Sequence, residues 1–275
     1  TRDPDLGTIL YNLAFAAPRA ETVRLACLDL APLGAARDDA ARDAVLGRMV
    51  EDVRTLGATA VALPLLARDD PPAAWLPTPA APLAADLFGR AARQLGTRSG
   101  VQVFAALDSA AIAALGEARA RELLADAARA APIDGILLPG TGPLVPPPDG
   151  APAPAGQRAA RAASDSESMR LFSAAAAIDP RLRLILAGSL APAPGIDRVA
   201  APADLPELQA LGWYRPEHSG RLLTVIAPEE PDAARQAARR LQRGGATGLS
   251  LCPFDAGQLK DIAPWFSAAT YPWRP

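Results

Sequence analysis

Lysine is nearly absent from this chain: Lys260 is the only one, and arginine supplies the rest of the 28 basic residues. Alanine and proline are abundant, a bias that reads as genomic base composition more than chemistry. Histidine is as scarce. His218 stands alone in Arg215–Gly220, a loop by composition, where a solvated side chain is the natural reading. One histidine cannot build a metal site by itself, and no Ser/His/Asp or Cys/His arrangement can be assembled around it. No metal and no cofactor is therefore expected. The formal net charge of −2 comes without any basic run, which argues against nucleic acid as the main partner, because phosphate binding needs a concentrated basic face. No apolar stretch approaches the roughly 18–20 residues of a membrane span. Thr1–Asp5 is polar and charged, so no signal peptide is visible within the chain. The two cysteines, Cys27 and Cys252, fit neither a CxxC pair nor a zinc spacing. Both lie in apolar, strand-like runs, where a free thiol packs as a small hydrophobe. A disulfide stays open if the first and last strands are neighbours.

What is present is ordinary globular material. The chain has 275 residues, 50% apolar and 21% charged, enough for one sizeable core. Short β-rich runs alternate with longer helical patterns, the signature of a parallel sheet with crossover helices. Strands are expected at Val23–Asp29, Ala60–Pro64, Gly100–Leu107, Ile133–Leu138, Leu182–Ala187, Leu222–Ile226 and Gly248–Cys252. Helices are expected over Asp39–Leu56, Pro82–Leu95, Ile112–Ala131, Gln157–Ile178, Asp232–Arg243 and Gln258–Trp265. The first presents Val45, Met49, Val53 and Leu56 on one face and ends at Gly57. The stretch Pro139–Ala155 reads as a long surface loop. From Gly188 to Gly220 the pattern weakens, and Ile196–Ala200 is too faint to separate a short sixth unit from a missing one. The expected architecture is an α/β (β/α)8 TIM-like barrel over 23–275, preceded by an N-terminal extension over 1–22. No G-x-G-x-x-G or P-loop follows a strand, which disfavours nucleotides.

In such a barrel the working residues sit at the C-terminal ends of the strands. Those positions carry Asp29, Asp108, Glu229, Glu230 and Asp255. Any two facing one cleft could act as the acid and base of a glycosidase. A plainer reading competes: Asp108-Ser109 looks like a helix cap, and Glu229 and Glu230 suit the first turn of a following helix. Asp29 ends an apolar strand inside the expected mouth and is harder to set aside. Trp75, Trp213 and Tyr214 lie in loops, where an exposed ring can stack on a sugar, though core packing is the alternative for each. The doublets Asp38-Asp39 and Asp69-Asp70 read as solvated surface.

Several segments carry a family resemblance. Trp75-Leu-Pro and Ala84–Val103 look like the stretch before the third strand in the C-terminal glycoside hydrolase domain of the PgaB/HmsF family, the bacterial poly-β-1,6-N-acetyl-D-glucosamine N-deacetylases. Leu28-Asp29-Leu30 resembles its first-strand motif, Ile133–Leu138 its fourth, and Trp265–Pro272 its ending. The similarity runs from about Val23 to Pro272 and is loose between Gly188 and Arg221. The family's fourth strand ends in a His-Asp-Asp run whose acid performs catalysis; here those positions are Pro139, Gly140 and Thr141. The second aspartate of the first-strand motif is Ala31, the Arg-Asn pair after strand five is Ala187-Gly188, and the strand-seven glutamate is Thr224. Of that polar set only Asp29 is retained. Nothing matches the metal-binding motifs of the family's separate deacetylase domain.

The resemblance implies a non-catalytic, hydrolase-like domain of an exopolysaccharide deacetylase-type protein. It would bind the β-1,6-linked glucosamine polymer or support its modification and export, beside an upstream deacetylase domain and export partners, in the periplasm or at the outer membrane. Asp29, Trp75, Asp108, Trp213 and Tyr214 are the expected ligand-contacting set. Two alternatives remain: an active glycoside hydrolase of altered chemistry using Asp29 with Glu229 or Asp255, and a purely structural domain that binds partner proteins.

Overall fold

Eight short strands pair in parallel and in sequence order, and the last pairs back onto the first to close a barrel. The computed structural model describes residues 23–67, 71–139 and 167–187, together with three further strands at 198–202, 222–226 and 248–251. The strands are β1 (Arg24–Cys27), β2 (Ala60–Pro64), β3 (Gln102–Ala106), β4 (Gly135–Pro139), β5 (Arg183–Ala187), β6 (Arg198–Pro202), β7 (Leu222–Ile226) and β8 (Gly248–Leu251). The described helices are α1 (Ala31–Gly34), α2 (Asp39–Leu56), α3 (Phe88–Ser99), α4 (Ser109–Leu115), α5 (Glu117–Ala130) and α6, over 167–176. A sixth strand is present. It pairs with β5 through Ile185↔Arg198 and with β7 through Val199↔Leu222. Its sequence is faint because arginine, two alanines and proline make up four of its five residues, and alanine and proline are poor strand formers.

Side-chain alternation divides the core in two. Val23, Leu25, Ala60, Ala62, Phe104, Leu137 and Ile185 form one buried cluster, with Cys27, Ala106 and Ala187 packed partly buried against it. These alternate positions on β1–β5 fill the barrel interior. The other parity, including Ala26, Val61, Leu63, Val103, Ile136, Leu138, Leu184 and Leu186, meets the helices in a larger cluster. Gly135 lets the interior close. A methyl placed there would lie 2.5 Å from Cε1 of Phe104 and nearer still to the carbonyl oxygen of Arg183. Phe104 and Gly135 are register partners on β3 and β4, so the missing side chain is the space the phenyl ring occupies.

Helix α2 starts at Asp38, whose side chain accepts the Ala41 N–H at 2.7 Å, and ends at Gly57 in the left-handed conformation (φ 69°). Its buried stripe is Leu46, Val50, Val53 and Leu56; Val45 and Met49, expected on that stripe, flank it partly buried. Arg90 of α3 joins the two helices, reaching Asp39 at 2.9 Å and Asp43 at 2.7 Å. Helix α3 starts six residues later than Pro82, because the preceding chain is held in the β2–α3 loop. There Ala74 bridges to Leu66 and Leu83, and the carbonyl of Trp75 accepts the N–H groups of Leu87 and Phe88. The single helix expected over Ile112–Ala131 is two, broken at Gly116 (φ 77°, ψ 157°).

Cys27 is disulfide-bonded, in a chain whose only other cysteine is Cys252. The expectation of free, packed thiols is thereby corrected. The register of β1 with β8 ends at Ala26↔Leu251, and the next residue of each strand's chain is a cysteine. Neighbouring strands lie about 4.8 Å apart, inside the Cα separation a disulfide needs. Among the described residues no helix is long and apolar enough to cross a membrane.

Candidate functional site

The C-terminal ends of β1–β5 form the described part of the barrel mouth. The last inward layer below it consists of Cys27, Ala106 and Ala187, all partly buried, and Pro64 and Pro139 share the same parity on β2 and β4. That layer carries no ionisable side chain. One alternation step further along β1 and β3 lie Asp29 and Asp108, both exposed. Their strands flank β2, so the two carboxyls start from backbones about 10 Å apart.

Both aspartates bind backbone amides locally, Asp29 in a turn ahead of α1 and Asp108 as a helix cap. Asp29 Oδ1 accepts the Ala31 N–H at 2.9 Å, at the start of α1. Asp108 is the N-cap of α4 and accepts the Ala111 N–H at 2.7 Å. This is the ordinary task of an aspartate before a helix: it satisfies an amide the first turn leaves without an acceptor. One oxygen of each carboxylate is occupied in this way. The second remains at an exposed position, so either could still meet a ligand hydroxyl at the mouth.

Trp75 is not the open stacking face expected of it. The residue is 6% exposed and belongs to the core. Its ring lies over Gly34 of α1, where an added methyl would sit 2.6 Å from Cη2 and 2.8 Å from Cζ3. Leu65, Leu87 and Phe88 fix its backbone. Its indole Nε1 is buried without a hydrogen-bond partner. The loop composition around Trp75 concealed this, because its neighbours, Gly34 against the ring and Leu65, Leu87 and Phe88 on the backbone, come from separate segments. Trp213, Tyr214, His218, Glu229, Glu230, Asp255, Asp69 and Asp70 lie outside the described residues, so no pairing of Asp29 with Glu229 or Asp255 is described.

One polar contact at the mouth left no sequence signal. Ser168 is 3% exposed, and its hydroxyl donates to the carbonyl of Pro139 at 2.8 Å, tying α6 to the end of β4. The carbonyl that closes β4 is thus bound internally. Among the described residues no group of three or more histidine, cysteine, aspartate or glutamate side chains is arranged to hold a metal ion.

A groove of about 870 Å³ opens at the opposite end of the barrel, between the C-terminal turns of α3 and α5 and the starts of β3, β4 and β5. It is lined by Arg93, Arg129, Arg181 and Arg183 beside Asp134 and Asp179, and two of these arginines are held in ion pairs. Arg181 grips Asp179 through Nε at 2.9 Å and Nη2 at 2.8 Å, which lowers the aspartate pKa to about 2. Arg129 pairs with Asp126, and Asp134 accepts the Val103 N–H at 2.8 Å.

No family model matches this chain. No curated protein matches it either. Solved structures do. The PgaB (BpsB) glycoside hydrolase domain from Bordetella bronchiseptica superposes with a TM-score of 0.68 at 18% identity, over 90% of this chain and 98% of that one. A plant class V chitinase mutant from Cycas revoluta, in complex with (GlcNAc)3, gives a TM-score of 0.56 at 10% identity, over 90% and 99%. A glycoside hydrolase family 18 N-acetylglucosaminidase from Paenibacillus barengoltzii gives 0.53 at 10% identity, also over 90% and 99%. These likenesses show the fold: the chain is built on the (β/α) barrel that these glycoside hydrolases share.

Proposed function

We propose that this chain is a non-catalytic, hydrolase-like barrel of an exopolysaccharide deacetylase-type protein, and that it binds β-1,6-linked glucosamine polymer at the C-terminal mouth. The observation that carries the reading is the chemistry of the described strand ends. β4 ends in Pro139, where the resemblance to the PgaB/HmsF family aligns that family's catalytic acid run, and the described inward layer of β1–β5 is small and apolar. Asp29 and Asp108 are both exposed; Asp108 caps a helix, and Asp29 accepts the Ala31 N–H just ahead of α1. Glycoside cleavage needs one carboxyl group held protonated and a second ionised across the scissile bond. Removing general acid–base catalysis forfeits about 10²–10⁴-fold in rate. A scaffold without that pair can still hold sugar through hydroxyl-accepting carboxylates, and Asp29 and Asp108 are placed to do so. The resemblance to the polymer-modifying family supplies the ligand class and the partners, an upstream deacetylase domain and export proteins. The disulfide at Cys27 supports an oxidising location such as the periplasm.

The test is equilibrium binding of partially deacetylated poly-β-1,6-N-acetylglucosamine oligomers, with β-1,4-linked chitin oligomers as the comparison. Saturable binding of the β-1,6 oligomers, weakened several-fold in Asp29→Asn, is expected. Binding of neither oligomer would overturn the reading and leave a partner-binding scaffold. Equal binding of both would remove the assignment of linkage.

A further inference from the structure

The groove between the C-terminal turns of α3 and α5 lies at the far end of the barrel from the mouth and has no part in the polysaccharide reading. Its volume of about 870 Å³ is within the range of sites that enclose a small ligand or a short peptide segment. Four arginines line it against two aspartates, Asp134 and Asp179. Arg129 has an ordinary reason to be there, since a cation in the last turn of α5 offsets the negative helix end. Arg93 has none. It sits in the middle of α3, exposed, and makes no ion pair among the described residues. Its guanidinium lies over Gly89, where an added β-carbon would be 3.5 Å from Nη1 of Arg93 and 3.5 Å from the carbonyl oxygen of Ala130. The bare glycine thus lets the charged head lie beside the end of α5. Arg129 engages Asp126 through Nη1 alone, and the Arg181–Asp179 pair is open to solvent. Exposed pairs of this kind are weak, so an incoming carboxylate can share their guanidinium groups. The apolar part of the lining includes Val101 and Leu182, both buried, and Ile133, half-buried.

We propose that this groove docks a short acidic segment of a partner protein, with an apolar side chain against Val101, Ile133 and Leu182 and flanking carboxylates on the arginines. Charge complementarity selects the occupant, because the planar guanidinium fork matches a carboxylate. No aromatic side chain lines the groove, which leaves a nucleotide base without a stacking surface. A partially deacetylated glucosamine polymer carries ammonium groups, which an excess of arginine repels. The groove is therefore a site distinct from the mouth, and the inference holds whatever the mouth binds.

The probe is a fluorescein-labelled peptide of alternating glutamate and valine, titrated with the intact chain and followed by anisotropy. Saturable binding that weakens as salt rises is expected. Arg93→Glu should weaken it by about fivefold or more, whereas Arg119→Glu, an exposed change on α5 outside the groove, should leave it unaltered. Gly96→Leu is the second variant. It fills the groove from α3 without changing charge, its β-carbon meeting Cγ2 of Val103 at an ordinary 3.7 Å, and should weaken binding as well. A lysine–valine peptide should not bind. Equal binding of a glutamate–serine peptide, equal losses in Arg93→Glu and Arg119→Glu, or no binding of the glutamate–valine peptide would each overturn the inference. Recruitment of the protein to phosphatidylglycerol vesicles without binding of the peptide would also overturn it, and would make this face a lipid contact.

Discussion

At the scale of single residues, a few atoms decide how closely this barrel can pack. Gly135 is the clearest case, because Phe104 occupies the volume where a β-carbon would be. Gly135→Ala forces the ring or the β4–β5 backbone to move, and overpacking of this kind costs about 1–3 kcal/mol. Urea unfolding should show the loss as a lower midpoint with an unchanged slope, and Phe104→Leu in the same background should recover part of it. The charged residues act more weakly. The Arg181 fork holds Asp179 at about 2 against an ordinary 3.8, and Arg90 and Arg170 likewise lower Asp39 and Glu117. A carboxyl whose pKa is depressed by folding stabilises the protein above its unfolded pKa and loses that contribution as pH falls through the folded one. For Asp179 the window is therefore between about pH 4 and pH 2. Asp52 acts in the opposite sense, because burial raises its pKa, so its contribution favours the fold at lower pH. Arg181→Ala should flatten the acid limb of a stability–pH profile in the Asp179 window. The effect should be modest, since the pair is exposed to solvent.

At the scale of elements, the bounds of α2 and β2 were legible and the interruptions were not. Asp39–Leu56 and Ala60–Pro64 are found where the sequence places them, because capping residues and an apolar stripe bound the helix and a short apolar run ending in proline marks the strand. The break at Gly116 was not legible: alanine-rich sequence continues on both sides, and only the backbone conformation (φ 77°, ψ 157°) reveals it. That conformation belongs essentially to glycine, so Gly116→Ala should destabilise by about 1–3 kcal/mol, measurable by chemical unfolding. No atom lies within 4 Å of the added methyl, so the penalty comes from the backbone and not from a clash. Trp75 shows the same limit in another form. Its proline-rich setting suggested a loop ring open to sugar, yet the segments that enclose it converge only in three dimensions.

At the scale of the whole molecule, the barrel was legible because alternation of strand and helix is a long-range pattern that survives weak individual strands. The sixth strand, only faint in the sequence at Ile196–Ala200, is found at Arg198–Pro202 between its two neighbours. The disulfide was left open for a related reason: β1, which Cys27 ends, pairs with β8 only when the barrel closes. Of the strand-end acids, Asp29 and Asp108 lie among the described residues. The Asp108 cap was legible from Asp108-Ser109, whereas the Asp29 contact to the Ala31 N–H was not, because a turn-forming and a ligand-binding carboxylate have the same sequence. The central claim concerns what this mouth lacks, and prolonged incubation with β-1,6-linked glucosamine oligomers tests it most directly, following new reducing ends by mass spectrometry. Intact oligomers that remain bound, with no product from wild type or Asp29→Asn, are expected. Product from the wild-type chain that disappears in Asp29→Asn would contradict the account and make this barrel a working hydrolase.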